Sequence, residues 1–268
     1  TIRGRDGSEL KIQSGNTYRI RLDGSRVEGN TWGQVNPFGL CWDNRGNLFS
    51  ADCHSSPIYQ LLRGAFYPSF GKPHDGLGYA PPMTGHDHGS TGIAGVVAYE
   101  DASAFPGEFT GNLFVGNVIT NTIHRDRPRW NGSSPWVEAP EDFLTSDDWW
   151  FRPVDLQFGP DGALYVADFY NRIIGHYEVP LTHPGRDRER GRLWRIVPPG
   201  DALGLAAADP LPAPTTMVRP CCWNSRTRSR HLRWNPSSPT DSTSSTRRMS
   251  GSTFTATANP SRTYMPEE

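Results

Sequence analysis

The 268-residue chain carries 27 basic and 28 acidic side chains, a net charge of −1, so no overall field draws it to nucleic acid or to an anionic membrane surface. Its hydrophobic share is 35%, while Gly (28) and Pro (24) are abundant, which suits short strands joined by tight turns better than packed helices. No stretch approaches the length of a bilayer span.

The chain opens on Thr1 with no Met, no basic n-region and no apolar h-region, so the expectation is a start inside a longer gene product or a removed leader. The first strand pair is expected around Thr17–Leu22, where Tyr-Arg-Ile-Arg-Leu alternates towards Asp23-Gly24. Next comes Pro37-Phe-Gly-Leu-Cys-Trp-Asp-Asn-Arg-Gly-Asn-Leu-Phe-Ser-Ala-Asp52. It matches Pro153-Val-Asp-Leu-Gln-Phe-Gly-Pro-Asp-Gly-Ala-Leu-Tyr-Val-Ala-Asp168 without a gap. Each copy reads as strand, turn, strand, with Gly46 or Gly162 supplying the positive φ that closes the turn. A weaker copy, Gly111-Asn-Leu-Phe-Val-Gly-Asn117 and onward to Arg125, lies between them, and Arg192–Val197 alternates again.

Repeated strand pairs that cannot bury both faces alone must stack. The expected fold is therefore all-β: a partial β-propeller of about three to four blades over residues 1–198. A β-sandwich with look-alike hairpins is the competing fold. Most of the nine Trp and nine Tyr are expected between blades. From about Gly200 the sequence turns to Ala and Pro, then to Ser, Thr, Arg and Pro. Residues 199–268 are expected to form a low-complexity or disordered tail, either a real linker or the product of a reading-frame slip.

Several residues could carry chemistry. The loop from Tyr67 to Gly95 is too long for a plain connection and holds His74, His86, Asp87 and His88, which could bind a metal, act as acid or base, or tie down the loop. His54 follows Asp52, and Tyr170 and Arg172 follow Asp168, at the rim where propeller loops collect. The repeated Asp52 and Asp168 fit a structural role better, accepting backbone N–H bonds, because a site is normally singular. Trp149-Trp-Phe-Arg152 could stack on a planar ligand or pack between blades. Cys41 and Cys53 could form a disulfide, and neither cysteine pair has zinc-ligand spacing. P-loop, G-x-G-x-x-G, G-x-S-x-G and H-E-x-x-H motifs are absent, which removes the sequence support for nucleotide-binding and standard hydrolase readings.

Residues from about 16 to 197 resemble the bacterial membrane-bound dehydrogenase domain family, itself similar to the propeller of soluble quinoprotein glucose and sorbosone dehydrogenases. The resemblance is carried by Ala51–Gly64, Phe70–Gly78, His86-Asp-His-Gly-Ser-Thr91, Gly111–Asn117, Phe151–Asp155, Gly159–Arg172 and Arg188–Ile196. It implies a periplasmic or secreted fragment of a dehydrogenase acting on a sugar or other alcohol, with pyrroloquinoline quinone as cofactor. A cytochrome would accept the electrons, and haem c would lie in a CxxCH domain that this sequence lacks. By residue type and rim placement, His88 would be the catalytic base and Arg152 and Arg172 the holders of the quinone carboxylates. His54, His74, His86 and Tyr170 would contact substrate. The alternative is a non-catalytic propeller that binds a glycan or protein partner through the same rim.

Overall fold

The computed structural model describes residues 1–12, 15–69, 79–81, 83–84, 87–100, 104–175 and 178–197, together with three short strands beyond them. In chain order the strands are β1 (Ile2–Arg3), β2 (Glu9–Leu10), β3 (Thr17–Arg19), β4 (Glu28–Thr31), β5 (Pro37–Trp42), β6 (Leu48–Asp52) and β7 (Ile58–Gln60). Then follow β8 (Ile93–Tyr99), β9 (Asn112–Asn117), β10 (Thr122–Asn131), β11 (Ser134–Glu138), β12 (Leu144–Ser146), β13 (Pro153–Phe158), β14 (Leu164–Asp168) and β15 (Arg192–Ile196). The last three are β16 (Leu232–Trp234), β17 (Arg248–Met249) and β18 (Ser252–Thr253). Apart from these three, the expected tail lies outside the described residues. Among the described residues no helix is long and apolar enough to cross a membrane.

Three antiparallel sheets form the body: β5-β6-β7, β8-β9-β10 extended by β12 and β16, and β13-β14-β15. Both strong sequence copies are thus the first hairpin of a sheet, and the weak copy supplies the inner hairpin of the sheet between them. The Thr17–Leu22 pair is β3 with β4, and Arg192–Val197 provides the third strand of the last sheet.

Stacking about a common axis is visible at equivalent positions of the three innermost strands. Gly39, Gly95 and Asp155 each lie two residues into their strand. A Cβ on Gly39 would come within 2.9 Å of the Gly95 Cα, and one on Gly95 within 2.8 Å of the Asp155 Cα. Both glycines have positive φ, 103° and 63°, so conformation and close approach alike exclude a side chain there. The pairing register also slips at this place in all three sheets, between Pro37 and Leu40, Ala94 and Val96, and Pro153 and Asp155. The described residues form a partial β-propeller with three blades, here numbered one to three in chain order.

The middle blade is sandwiched. On β9, Leu113 and Val115 pack towards blade one with Phe49, Ala51, Ile58 and Val96. Phe114 on the other face joins Phe109, Phe143, Phe151, Leu156 and Val166 of the blade-two to blade-three interface. That is why every residue of β9 is buried, whereas Leu40 and Trp42 on the far face of β5 stand 54% and 64% exposed. Phenylalanines fill the inter-blade space, where Phe105, Phe109, Phe114 and Phe143 meet largely edge to face. Of the Trp and Tyr expected there, Tyr59, Tyr67 and Tyr99 are buried, whereas Tyr18, Trp42, Trp136 and Trp149 are exposed. Cys41 and Cys53 are both free thiols, which corrects the disulfide expectation. Cys41 faces Phe49 partway down the hairpin, while Cys53 lies beyond its far end, after the pair Pro37 and Asp52.

Candidate functional site: the His-Asp pair on the blade rim

The ends of β6, β9 and β14 and the starts of β5, β8 and β13 define one rim. At each blade the residue following the second strand donates its N–H to the carbonyl of the residue preceding the first. The bonds are Cys53 to Asn36, Val118 to Gly92 and Phe169 to Arg152, at 3.1, 3.0 and 2.9 Å. These bonds place Asp52, Asn117 and Asp168 in one structural position.

In blades one and three that position is a buried staple. Asp52 accepts the N–H groups of Val35, Asn36 and His54. Asp168 accepts the N–H groups of Arg152 and Tyr170, and on its other oxygen Arg192 Nε at 2.6 Å and Trp194 Nε1 at 2.9 Å. Every bond satisfies a group that the turn would otherwise strand without a partner, so the structural role expected of the repeated Asp is the one the geometry supports.

Blade two differs. Asn117 Oδ1 accepts the N–H groups of Ile119 (3.0 Å) and Thr120 (3.2 Å), keeping the staple. Its Nδ2 faces Ser90 Oγ at 3.1 Å and His124 Nε2 at 3.2 Å. His124 and Asp126 are two apart on β10 and share a face. His124 Nδ1 lies 2.6 Å from Asp142, and His88 Nε2 lies 2.9 Å from Asp126. The two imidazoles stack with centroids 3.9 Å apart and planes 4° from parallel. The His88 side chain is only 6% exposed and that of Asp126 is fully buried. Burial pulls the His124 pKa below 6.5, against the raising effect of its bond to Asp142, while the neighbouring His88 adds a lowering one.

The other expected site residues sit on the same rim in different surroundings. Arg152 is 4% exposed, and its guanidinium donates to the carbonyls of Asn171, Val118 and Arg172 and to Asn121 Oδ1, at 2.6 to 2.7 Å. Four of its five N–H groups therefore clamp the rim loops of blades two and three together. Arg172 is exposed and lends its carbonyl to that clamp. Tyr170, at φ 51°, meets Trp150 with ring planes tilted by 31° and centroids 5.0 Å apart, and lies under the Arg192 guanidinium at 4.4 Å. His54 is exposed beside the Asp52 staple. His74 and His86 lie outside the described residues. Phe151 and Trp150 go to packing, and Trp149 stands 58% exposed. No group of three or more metal-ligating side chains occurs among the described residues.

Sequence reasoning missed Asp126, His124, Asp142 and Asn117. A signal for Asn117 was present: Gly111-Asn-Leu-Phe-Val-Gly-Asn117 matches Gly46-Asn-Leu-Phe-Ser-Ala-Asp52 in register, with Asn replacing Asp at its end. The spacing of His124 and Asp126 signalled a shared strand face, but nothing in the sequence points to Asp142, which reaches His124 from a loop.

The opposite rim, where the first turn of each blade lies, carries an open cleft of about 990 Å³ between blades one and two. Asp43, Arg45, Glu100, Arg127, Trp130 and Trp136 are among its walls. Burial raises the Glu100 pKa above its usual value.

A three-bladed partial propeller with a buried His-Asp pair on one rim is the class that fold and site define. The chain belongs to the family described as domain of unknown function (DUF7133), whose model matches residues 2–200. No curated protein matches it. Among solved structures, an oxidoreductase described as a glucose dehydrogenase from Thermus thermophilus is 24% identical, with a TM-score of 0.46 over 65% of this chain and 48% of that one. The PQQ-bound aldose sugar dehydrogenase of Streptomyces coelicolor is 18% identical, with a TM-score of 0.40 over 57% of this chain and 42% of that one. The apo soluble aldose sugar dehydrogenase of Escherichia coli is 22% identical, with a TM-score of 0.39 over 59% of this chain and 48% of that one. The chain spans a little under half the length of each.

Proposed function

We propose that this rim belongs to a dehydrogenase-like propeller that oxidises a hydroxyl of a sugar or other alcohol in the periplasm or outside the cell, with His88 as the general base. The observation that carries the reading is the buried His88–Asp126 pair. A carboxylate on Nε2 fixes the ring with its proton towards Asp126, which puts the basic lone pair on Nδ1. When Nδ1 takes the hydroxyl proton, the positive charge forms beside an ionised carboxylate held out of water, where the attraction is stronger than in bulk solvent. The parallel His124 ring fixes the plane of His88, so its lone pair keeps one direction.

Quinone dependence comes from the sequence resemblance. Arg152 gives four of its five N–H groups to the chain itself, which leaves the exposed Arg172 as the residue that would hold a quinone carboxylate. What this chain's own residues supply is proton transfer and its orientation. Pyrroloquinoline quinone, when bound, would supply the two-electron acceptor, and a cytochrome would take the electrons onward. Isothermal titration with pyrroloquinoline quinone, followed by a dye-coupled oxidation assay over a panel of aldoses, tests the reading. Heat of binding and reduction of the dye are expected; neither appearing at high quinone concentration would overturn it.

A second reading is favoured by the cleft on the opposite rim, where Trp136 is 49% exposed beside the charged walls. Aromatic faces flanked by polar groups suit a glycan. A Trp136→Ala variant with unchanged retention on immobilised glycans would remove that reading.

A further inference from the structure

The rim staple is an Asp in blades one and three and an Asn in blade two, and that exception touches the histidines. Blades one and three carry Asp52 and Asp168, whose oxygens all face donors. Blade two carries Asn117, whose Oδ1 is held by the main-chain N–H groups of Ile119 and Thr120. The amide cannot turn over without setting its NH₂ against those two N–H groups. Nδ2 is therefore the atom that faces His124 Nε2 at 3.2 Å, and it can only donate. An imidazole nitrogen that accepts carries no proton. His124 must then hold its single proton on Nδ1, where Asp142 accepts it at 2.6 Å.

We propose that Asn117 locks His124 as a neutral Nδ1–H imidazole, which makes His124 the positioning residue of His88 and confines proton uptake by the stacked pair to His88. A second proton on His124 would break the Asn117 bond, set N–H against NH₂ and, once His88 takes a proton, leave two like charges on rings with centroids 3.9 Å apart. Among the described residues, the charged groups facing the pair include Asp126 from β10, on His88, and Asp142 from the loop before β12, on His124. Asn117 from β9 and Ser90 from the segment before β8 also face the pair. Burial, which disfavours the charged form of His124, acts in the same direction. The sequence difference Asp, Asn, Asp along the three blades thus has a chemical content: an all-acceptor staple becomes one that also donates.

The catalytic meaning of this lock rests on the proposed role of His88, but the lock itself is tested without turnover. Imidazole ¹⁵N spectra of the full chain labelled at histidine read each tautomer directly, with His124→Gln and His88→Gln identifying the two signals. The native protein at neutral pH is expected to show His124 with a proton on Nδ1 only. Asn117→Asp supplies an acceptor in place of the donor, and should fold because Asp occupies this position in the other two blades. In it His124 is expected to gain an Nε2–H signal and become an imidazolium at neutral pH. A native His124 protonated on Nε2, or an Asn117→Asp spectrum with the His124 signals unmoved, would overturn the inference. The native spectrum decides even if the variant does not fold. Loss of dehydrogenase activity from an unrelated cause leaves these spectra unchanged, so the two readings fail separately.

Discussion

Blades two and three carry the same rim architecture and use it for different ends. In blade three the second strand ends on Asp168, and all its capacity goes inward, to two main-chain N–H groups, Arg192 and Trp194. Arg152 then adds a clamp across to the loop of blade two. In blade two the same position ends on Asn117, and the released donor holds His124, which stacks on His88. Equivalent turns thus differ in what they offer: acceptors saturated by donors in blade three, and an amide that also donates, to His124, in blade two. Arg152 and Asp168, whose bonds all run to the chain's own groups, are the frame of the site.

Exchanging the two staples should break the symmetry unequally. Asp168→Asn turns an NH₂ towards Arg192 and Trp194 or towards two main-chain N–H groups, leaving buried donors facing each other. It should cost about 3–5 kcal/mol in a denaturant titration. The reverse exchange, Asn117→Asp, keeps the main-chain bonds and should cost far less; equal losses would erase the distinction between the blades.

Arg152→Met tests whether the clamp or a ligand is what that guanidinium serves. Three carbonyls and the Asn121 amide oxygen lose their donor, so a loss of about 2–3 kcal/mol is expected from the unsatisfied buried acceptors. A variant of unchanged stability would reopen Arg152 as a ligand-holding residue.

A smaller effect follows from pH. His124 titrates lower in the folded chain than the 6.5 of an unburied histidine, because it is buried. Its contribution to stability is complete above about pH 6.5 and is lost as the pH falls towards the folded value, since only the unfolded chain takes the proton in that window. The Asn117→Asp variant, whose His124 charges readily, should show a shallower acid decline. Smallest of all, Cys41 should resist alkylation at pH 8. Burial pushes its pKa up to about 12, which leaves roughly one thiolate in ten thousand. Rapid labelling of Cys41 in the native state would mean that blade one opens.

The blades were legible because their signals are local: turn glycines, alternating strands and a gapless repeat from Pro37 to Asp52 and from Pro153 to Asp168 are readable in a short window. The site was legible only in part. His88 stood out between glycine-rich segments, but its partner Asp126 lies 38 residues on, brought to it by the pairing of β8, β9 and β10. Arg152 looked like a ligand-holding residue because its type and rim position fit. Its burial follows from loops converging from Val118 and Asn171, which sequence spacing does not show. The disulfide expectation failed for a related reason, since proximity in sequence placed Cys41 and Cys53 on one hairpin but not at one level of it.

The account turns on His88 as the proton acceptor at the blade-two rim. Steady-state oxidation of an aldose by the chain supplied with pyrroloquinoline quinone and a dye acceptor, native against His88→Gln, tests it most directly. The prediction is a fall in kcat of about 10²–10⁴ with quinone binding retained. Turnover by His88→Gln at the native rate would contradict it.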